Sequence, residues 1–423
     1  MPLVSRSALF IGLRYLLRKR LSYLAILGVG VAVGTLIVVM SVMSGFDKQL
    51  RSVVRGYLSD ITILPGTGKL YGLMGWRELR EEVMKLPHVQ AASPYIQGAG
   101  LIRFSEVGHM EHVFFRGIEP DLEGQVSRFG KDFIIRGKLA DLSRTYFDKG
   151  GAEVPGCLIG AVISEQLGYR YQPLGSGEVV LITATSDLQR RLKKFVVAGE
   201  FQTGRYDYDR SVVLLPLGAA IDFVQSEGGV TGLNVRLDDY ANAPEVIAEI
   251  HDRLGAKYVV LTWEDQERSF LEAVKMERFL MALILCFVGG LAGFCIFAIL
   301  TMTVYEKRRD IGILKAVGFT PTNIATVFLV NGGAIGLLGA FLGGLLGYGF
   351  AYKINEIAEV IKGLTGWTPF PRDVYYFNRI PADLSLWPPL LMAAGAIVCS
   401  LIFSVFPAIK AARLDPIETL RYE

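Results

Sequence analysis

Residues able to do chemistry are sparse in this sequence, and their spacing serves few reactions. His109 and His112 form the close histidine pair "HMEH". The flanking pattern reads as a strand, where residues three apart point to opposite faces, so the pair does not converge on a metal. "GTGK", Gly66–Lys69, suggests a phosphate loop. Such a loop needs a glycine where Ile63 stands and a hydroxyl where Leu70 stands. "RYDYDR", Arg205–Arg210, reads as a solvated hairpin tip. Cys286, Cys295 and Cys399 fall inside apolar runs and Cys157 alone lies in polar sequence, which offers neither a CxxC metal spacing nor a disulfide framework. With no Ser-His-Asp, Cys-His or paired-carboxylate arrangement, the chain is expected to be non-catalytic, with no metal or cofactor of its own.

Charge is concentrated instead in "VYEKRRDIGILKAVGFTPTNI", Val304–Ile324. Glu306, Lys307, Arg308, Arg309, Asp310 and Lys315 share it with Ile311, Leu314, Val317 and Gly318, which make an apolar face. Glu306 can pair with Arg309 one turn on. Gly318 is a natural helix stop; Thr320 as N-cap and Pro321 at the first helical position restart a helix. A short amphipathic helix between two apolar runs is suited to receive a push from a partner protein. The same residues equally suit a solvated connector.

The elements that position this stretch belong in lipid. The chain has 423 residues, 51% hydrophobic and 20% charged, with net charge +3 and mean hydropathy +0.38. That average implies several membrane spans together with a sizeable water-exposed domain. The mild basic excess lies beside the apolar runs, which argues against nucleic acid as a partner. Crossing a hydrocarbon core of about 30 Å takes roughly 20 apolar residues. Four stretches qualify: 21–43, 273–304 (including a stalk on its outer side), 323–352 and 384–409. The first is too long for a cleavable signal segment and is expected to be retained. Lys and Arg cluster in segments 1–20, 305–322 and 410–423, which places these in the cytoplasm and both termini inside. Segment 1–20 reads as an amphipathic helix along the membrane surface. Segments 44–272 and 353–383 are then external.

No span carries a Lys, Arg, Asp or Glu at its centre, which argues against ion-coupled transport, so energy must come from elsewhere. The third span carries Gly332, Gly336, Ala340 and Gly344 at four-residue intervals, and separately Gly339, Gly343 and Gly347. Small residues at that spacing let helices approach closely; packing against span two or four is expected over a seam between two copies. The external segment alternates strand-like runs ("SDITILPG", "HVFFRGI", "GEVVLITAT", "KKFVVAGEF", "SVVLLPL", "TGLNVRL") with the helix-like "WRELREEVMKL" and "APEVIAEIHDRLG". "CLIGAVISEQLGY" reads as a strand running into a short helix. The fold class is an integral membrane α-helical protein, with four transmembrane helices and a large α+β domain inserted between the first two.

"EKRRDIGILKAVGFTP" and the tail "FPAIKAARLDPIETLRYE" resemble the two hallmarks of permeases in the macrolide-exporter/cell-division-permease superfamily of ABC transporters. "FIGLRYLLRKR", "VVMSVMSGFDKQL", "FLEAVKMERFLM" and "DVYYFNRIPADL" resemble its lipoprotein-releasing branch, the LolC/LolE permeases. The resemblance covers the whole chain. It implies an inner-membrane permease with a periplasmic domain and no ATPase of its own. ATP and Mg would be bound by a separate ABC ATPase dimer, docked on Glu306–Gly318. A second permease, identical or different, would complete the membrane half. The implied substrate is a triacylated lipoprotein handed to a periplasmic carrier. Its cleft would lie between spans one and two, near Val39, Met40, Val42, Met43, Phe46, Met276, Phe279, Leu280 and Leu283. The carrier-recruiting hook of that branch corresponds here to the short "SDLQRRL". Export of a drug or peptide, or signalling to periplasmic hydrolases, are the other roles the superfamily implies.

Overall fold

The structure is a computed structural model that describes residues 6–18, 20–104, 110–130, 132–166, 168–169, 172–184, 190–366 and 379–415. His109, residues 186–189 of "SDLQRRL", residues 373–378 of the outer-loop motif and the tail from Pro416 lie outside the described residues. Two compact units divide the chain, one of residues 49–271 and one built from the segments on either side of it.

The inserted unit is organised by an eleven-stranded mixed sheet. In chain order the strands are β1 (Ile61–Pro65), β2 (Val89–Phe104), β3 (Met110–Ile118), β4 (Ile134–Arg136), β5 (Thr145–Phe147), β6 (Glu153–Gly160), β7 (Glu178–Ala184), β8 (Arg190–Phe201), β9 (Val212–Pro216), β10 (Gly232–Leu237) and β11 (Tyr258–Thr262). Pairs β3–β9 and β6–β8 are parallel, and the remainder are antiparallel. Because β7 bonds both β2 and β8, the strands β2, β3, β9, β6, β8 and β7 close into a ring. Phe115, Phe195, Val179, Ile159 and Val213 belong to one buried cluster of this unit. Cys157 sits in the same cluster, where burial pushes its thiol up and leaves it inert. Strand β2 carries Pro94, Gly98 and Gly100, residue types that commonly interrupt strands. These glycines serve close approach instead, since a Cβ on Gly98 would lie 2.3 Å from the Phe115 ring and one on Gly100 would lie 2.5 Å from the Ile182 carbonyl of β7.

The second unit is built on helices. They are α1 (Arg6–Arg18), α2 (Arg20–Tyr57), α10 (Arg268–Glu306), α11 (Arg308–Ala316), α12 (Pro321–Tyr352), α13 (Ile354–Thr365) and α14 (Trp387–Ala412). Helices α3 to α9 belong to the inserted unit: Trp76–Val83, Pro120–Val126, Ala161–Gln166, Tyr206–Ser211, Leu217–Val224, Ala243–Leu254 and Trp263–Gln266. Among the described residues, α2, α10, α12 and α14 are long and apolar enough to cross a membrane. Helix α2 runs beyond Met43 to Tyr57 because "SGFDKQLRSVVRGY" keeps helix-compatible residues even where its charges leave lipid. Segment 353–383 contains the helix α13 rather than loop alone.

Candidate functional site

The charged stretch folds as α11 and the turn after it. Gly318 has φ +105°; its N–H bonds the Lys315 carbonyl at 3.0 Å, and the Phe319 N–H bonds the Leu314 carbonyl at 3.0 Å. Those two bonds form a Schellman motif, with Phe319 and Leu314 packed against one cluster beside it. Thr320 then caps α12, its side chain accepting from the Asn323 N–H, and Pro321 takes the first position as expected.

Two residues assigned to docking face inward instead. Ile311 is 1% exposed, packed with Val304, Ile324, Phe328, Ala408 and Ala411. Lys315 Nζ donates to the carbonyls of Ala412 (2.7 Å) and Leu414 (2.6 Å), capping the end of α14 where an ammonium meets the helix dipole favourably. The outward surface of α11 is therefore Arg308, Arg309, Ile313 and Val317, the last 77% exposed. Lys307 pairs with Asp310 at 2.7 Å, and the Arg308 guanidinium stacks 4.3 Å from the Tyr305 ring centroid. Beside them a groove of about 440 Å³ separates α11 from α1, lined by Ile11, Arg14, Tyr15, Lys307, Asp310, Ile313 and Leu314. Burial, and then the nearby Asp310 carboxylate, push the Tyr15 hydroxyl up to about 12, so it stays a neutral donor. Helix α1 also packs on α12, where a Cβ on Gly12 would lie 2.8 Å from the Val327 carbonyl.

The glycines of α12 form two seams. Gly332 and Gly336 face α14: Cβ atoms there would lie 1.8 Å from Ser404 Oγ and 2.6 Å from Ser400 Cβ. Ser400 Oγ donates to the Gly332 carbonyl at 2.5 Å. Gly339, Gly343 and Gly347 face α2, where added Cβ atoms would lie 2.7 Å from Val29 Cβ, 2.4 Å from the Gly30 carbonyl and 2.8 Å from the Gly34 carbonyl. The packing is thus within the chain, against span four as expected and also against span one, with Leu300 of span two 3.3 Å from a Gly332 Cβ. Gly30 and Gly34 supply the matching small face, which lets the two backbones touch. A Cβ on Gly344 would meet nothing within 4 Å.

A cleft of about 610 Å³ opens between α2, α10 and α14. Its walls include Val33, Leu36 and Met40 of α2, Leu285, Cys286, Gly289 and Gly290 of α10, and Met392 and Cys399 of α14. Of the nine residues assigned to a substrate cleft, Met40 lines this one. Val39, Val42, Met43 and Phe46 are half-buried on α2, and Met276, Phe279, Leu280 and Leu283 are exposed on α10. The physical reason lies in the glycines: a Cβ added at Gly289 or Gly290 would meet nothing within 4 Å, and that missing bulk hollows the bundle farther along α10. At the far end Arg278 of α10 pairs with Asp47 of α2 at 2.9 Å, a link the sequence did not suggest.

Residues 22–253, more than half of the chain, match the MacB-like periplasmic core domain family, and residues 282–416 match the FtsX-like permease C-terminal family. The chain belongs to the MacB-like periplasmic core domain family. It is similar to the lipoprotein-releasing system transmembrane protein LolC of Xylella fastidiosa (strain 9a5c), 29% identical over 424 residues that cover 98% of each chain. LolC of Neisseria meningitidis serogroup B is 29% identical over 98% of this chain and 99% of its own. LolE of Haemophilus influenzae is 25% identical over 93% and 92%. The resemblance to the lipoprotein-releasing branch read from the motifs is borne out, as is the fold class of four apolar helices with an inserted α+β domain. The chain is an ABC transporter permease.

The inserted domain of this MacB-like permease carries a further polar cavity of about 280 Å³, which corrects the reading of "RYDYDR" as a solvated tip. Arg205 Nη1 reaches Glu267 Oε1 at 2.6 Å and also donates to the Tyr57 hydroxyl, which itself donates to Glu267 at 3.1 Å. Asp209 is fully buried; its carboxylate accepts from Thr203 N (2.9 Å), Thr203 Oγ1 (2.7 Å) and Gly204 N (3.1 Å). Burial outweighs those donors and raises its pKa from 3.8 to about 6. Arg116, stacked 4.6 Å from the Tyr95 ring centroid, lines the same cavity. Strands β7 and β8 pair all the way to Ala184↔Arg190, so their connection is residues 185–189.

Proposed function

We propose that this permease is the transmembrane subunit of a complex that releases acylated lipoproteins from the outer leaflet of the bacterial inner membrane. ATP is hydrolysed by a separate pair of ABC subunits, a second permease completes the membrane half, and a periplasmic carrier accepts the product. Both termini and α11 lie in the cytoplasm, following the distribution of Lys and Arg. The observation that carries this reading is the match to LolC proteins over 98% of both lengths.

The geometry supplies a physical route for it. The ATPase meets Arg308, Arg309, Ile313 and Val317 on the outward face of α11. Buried Ile311 and the Lys315 cap fasten α11 to α12 and α14, so a push is passed on rather than absorbed. The glycine seam hands the displacement from α12 to α2, and the Asp47–Arg278 pair ties α2 to α10. Those helices border the apolar cleft, whose lining matches the lipid that the acyl chains leave, so their entry into it carries little hydrophobic cost or gain. With so short a β7–β8 connection, carrier capture would fall to the second permease where that is a different chain.

The test is ATPase activity of the chain co-purified with its ABC subunit in lipid, with acylated or unacylated lipoprotein added. Stimulation by the acylated form alone supports release. Hydrolysis that ignores acylation rejects the substrate while leaving the coupling helix in place.

A further inference from the structure

Helix α13 has a divided surface and, among the described residues, no partner that buries its apolar half. On a helical projection Ile354, Ile357, Val360, Ile361 and Leu364 fall on one side, and Asn355, Glu356, Glu359 and Lys362 on the other. None of its residues is buried; Leu364 is 81% exposed and Val360 60%. An apolar stripe of that extent in water would be costly.

The position of α13 decides what covers it. Lys353 caps both the end of α12 and the start of α13, so the chain has no slack to lift α13 away from the end of span three. At φ −97° and ψ 14° Lys353 departs from α-helical ψ and breaks the two helices apart. Asn355 clasps the Ile380 backbone, accepting from its N–H at 2.7 Å and donating to its carbonyl at 3.2 Å. The strap that follows is pinned to span one: the Asp383 N–H bonds the Ser41 carbonyl at 2.8 Å, Ser41 Oγ donates to the Asp383 carbonyl at 2.5 Å, and Lys48 pairs with Asp383 at 2.7 Å. Tyr348 donates to the Leu384 carbonyl at 3.3 Å, which sets the start of α14 level with the end of α12. Tyr352 and Trp387, both exposed, stand at that level, as aromatic side chains do at a membrane boundary.

We propose that α13 is an interfacial helix, its Ile354–Leu364 stripe seated in the headgroup region of the leaflet where spans three and four emerge. On the orientation given above that is the outer leaflet. The polar side carries two acids against one lysine, so binding draws on apolar burial and not on attraction to anionic lipid. The strap then joins a lipid-seated helix to the outer end of span one. The assignment of α13 does not depend on which substrate is carried.

Single cysteines are placed at Val360, Leu364, Glu356 and Glu359 in a chain whose own four cysteines are replaced by serine. Each is nitroxide-labelled in a lipid nanodisc, and relaxation by oxygen is compared with relaxation by a water-soluble nickel chelate. Oxygen should dominate at 360 and 364 and nickel at 356 and 359, unchanged by high salt or by removing anionic lipid. Nickel access at all four positions would overturn the proposal. So would protection from both reagents at 360 and 364, the mark of a second copy or another protein covering the stripe. A photo-crosslinking residue at Leu364 in the otherwise unaltered chain gives an independent reading: lipid adducts are expected, and protein adducts alone would reject it.

Discussion

Replacing Gly343 with alanine adds one methyl group where α12 meets α2, and replacing Gly344 adds the same group one residue away. The Gly343 methyl would lie 2.4 Å from the Gly30 carbonyl, 2.8 Å from Val33 Cβ and 3.0 Å from the Gly34 nitrogen. Two of those three neighbours are backbone and cannot rotate aside, so the helices must separate by about 1 Å to restore ordinary contact. Overpacking of that kind costs about 1–3 kcal/mol. The Gly344 methyl meets nothing. Both changes gain the same helix propensity, about 1 kcal/mol. Their difference therefore isolates the seam. For a unit of this size each kcal/mol moves Tm by about 2–4 °C, which predicts Gly343→Ala melting roughly 2–12 °C below Gly344→Ala. Unfolding of membrane proteins is commonly irreversible, so both variants are heated at one scan rate in one detergent and followed by size-exclusion profile. Equal melting of the two would refute the seam. A loss appearing only in dimeric material would move it to an interface between copies.

Reversing charge at Arg308 and Arg309 to glutamate should reduce co-purification of the ABC subunit while leaving membrane insertion intact; unchanged recovery would remove α11 as the docking surface. Gly318→Ala places a side chain at φ +105° and should lower stability by about 1 kcal/mol or more, read by thermal unfolding. The Asp209 carboxyl has a folded pKa near 6 against 3.8 unfolded, so the folded state holds the extra proton between those values. Its contribution to stability is most favourable below pH 4 and declines as pH rises through 6, by about 3 kcal/mol in all. Asp209→Asn should remove that slope from denaturant titrations of the full chain; an unchanged slope would place the titration elsewhere. Gly45→Ala sets a methyl 2.4 Å from the Pro381 carbonyl and should loosen the strap on span one, seen as faster proteolysis between α13 and α14.

Long apolar runs and two-residue alternation are local signals, and the four spans, "GEVVLITAT", "KKFVVAGEF" and the α11–Gly318–Thr320 punctuation were legible for that reason. What escaped depends on partners far away in sequence. Lys315 looks like a docking cation until the Ala412 and Leu414 carbonyls are seen to claim it. "RYDYDR" looks solvated until Tyr57 and Glu267 arrive from opposite ends of the inserted domain. The glycine face of α12 announced close packing against span two or four but not against span one, because Gly30 and Gly34 sit in a span whose composition fits lipid equally well. The apolar hollow between α2, α10 and α14 gave no signal in the sequence, since it comes from absent side chains at Gly289 and Gly290 rather than from residues that advertise a ligand.

The two-sided seam of α12 has a consequence for how the chain is made. Synthesis delivers α2 first, then the whole inserted domain, and only then the helix that α2 must grip. Until α14 emerges from the ribosome, Gly332 and Gly336 face lipid without the Ser400 and Ser404 hydroxyls that fill them. Biogenesis therefore passes through a stage with span one and span three zipped and span three still open on its other flank. A chain stalled before Trp387 would leave that flank unfilled, and the last helix acts as the latch that closes it.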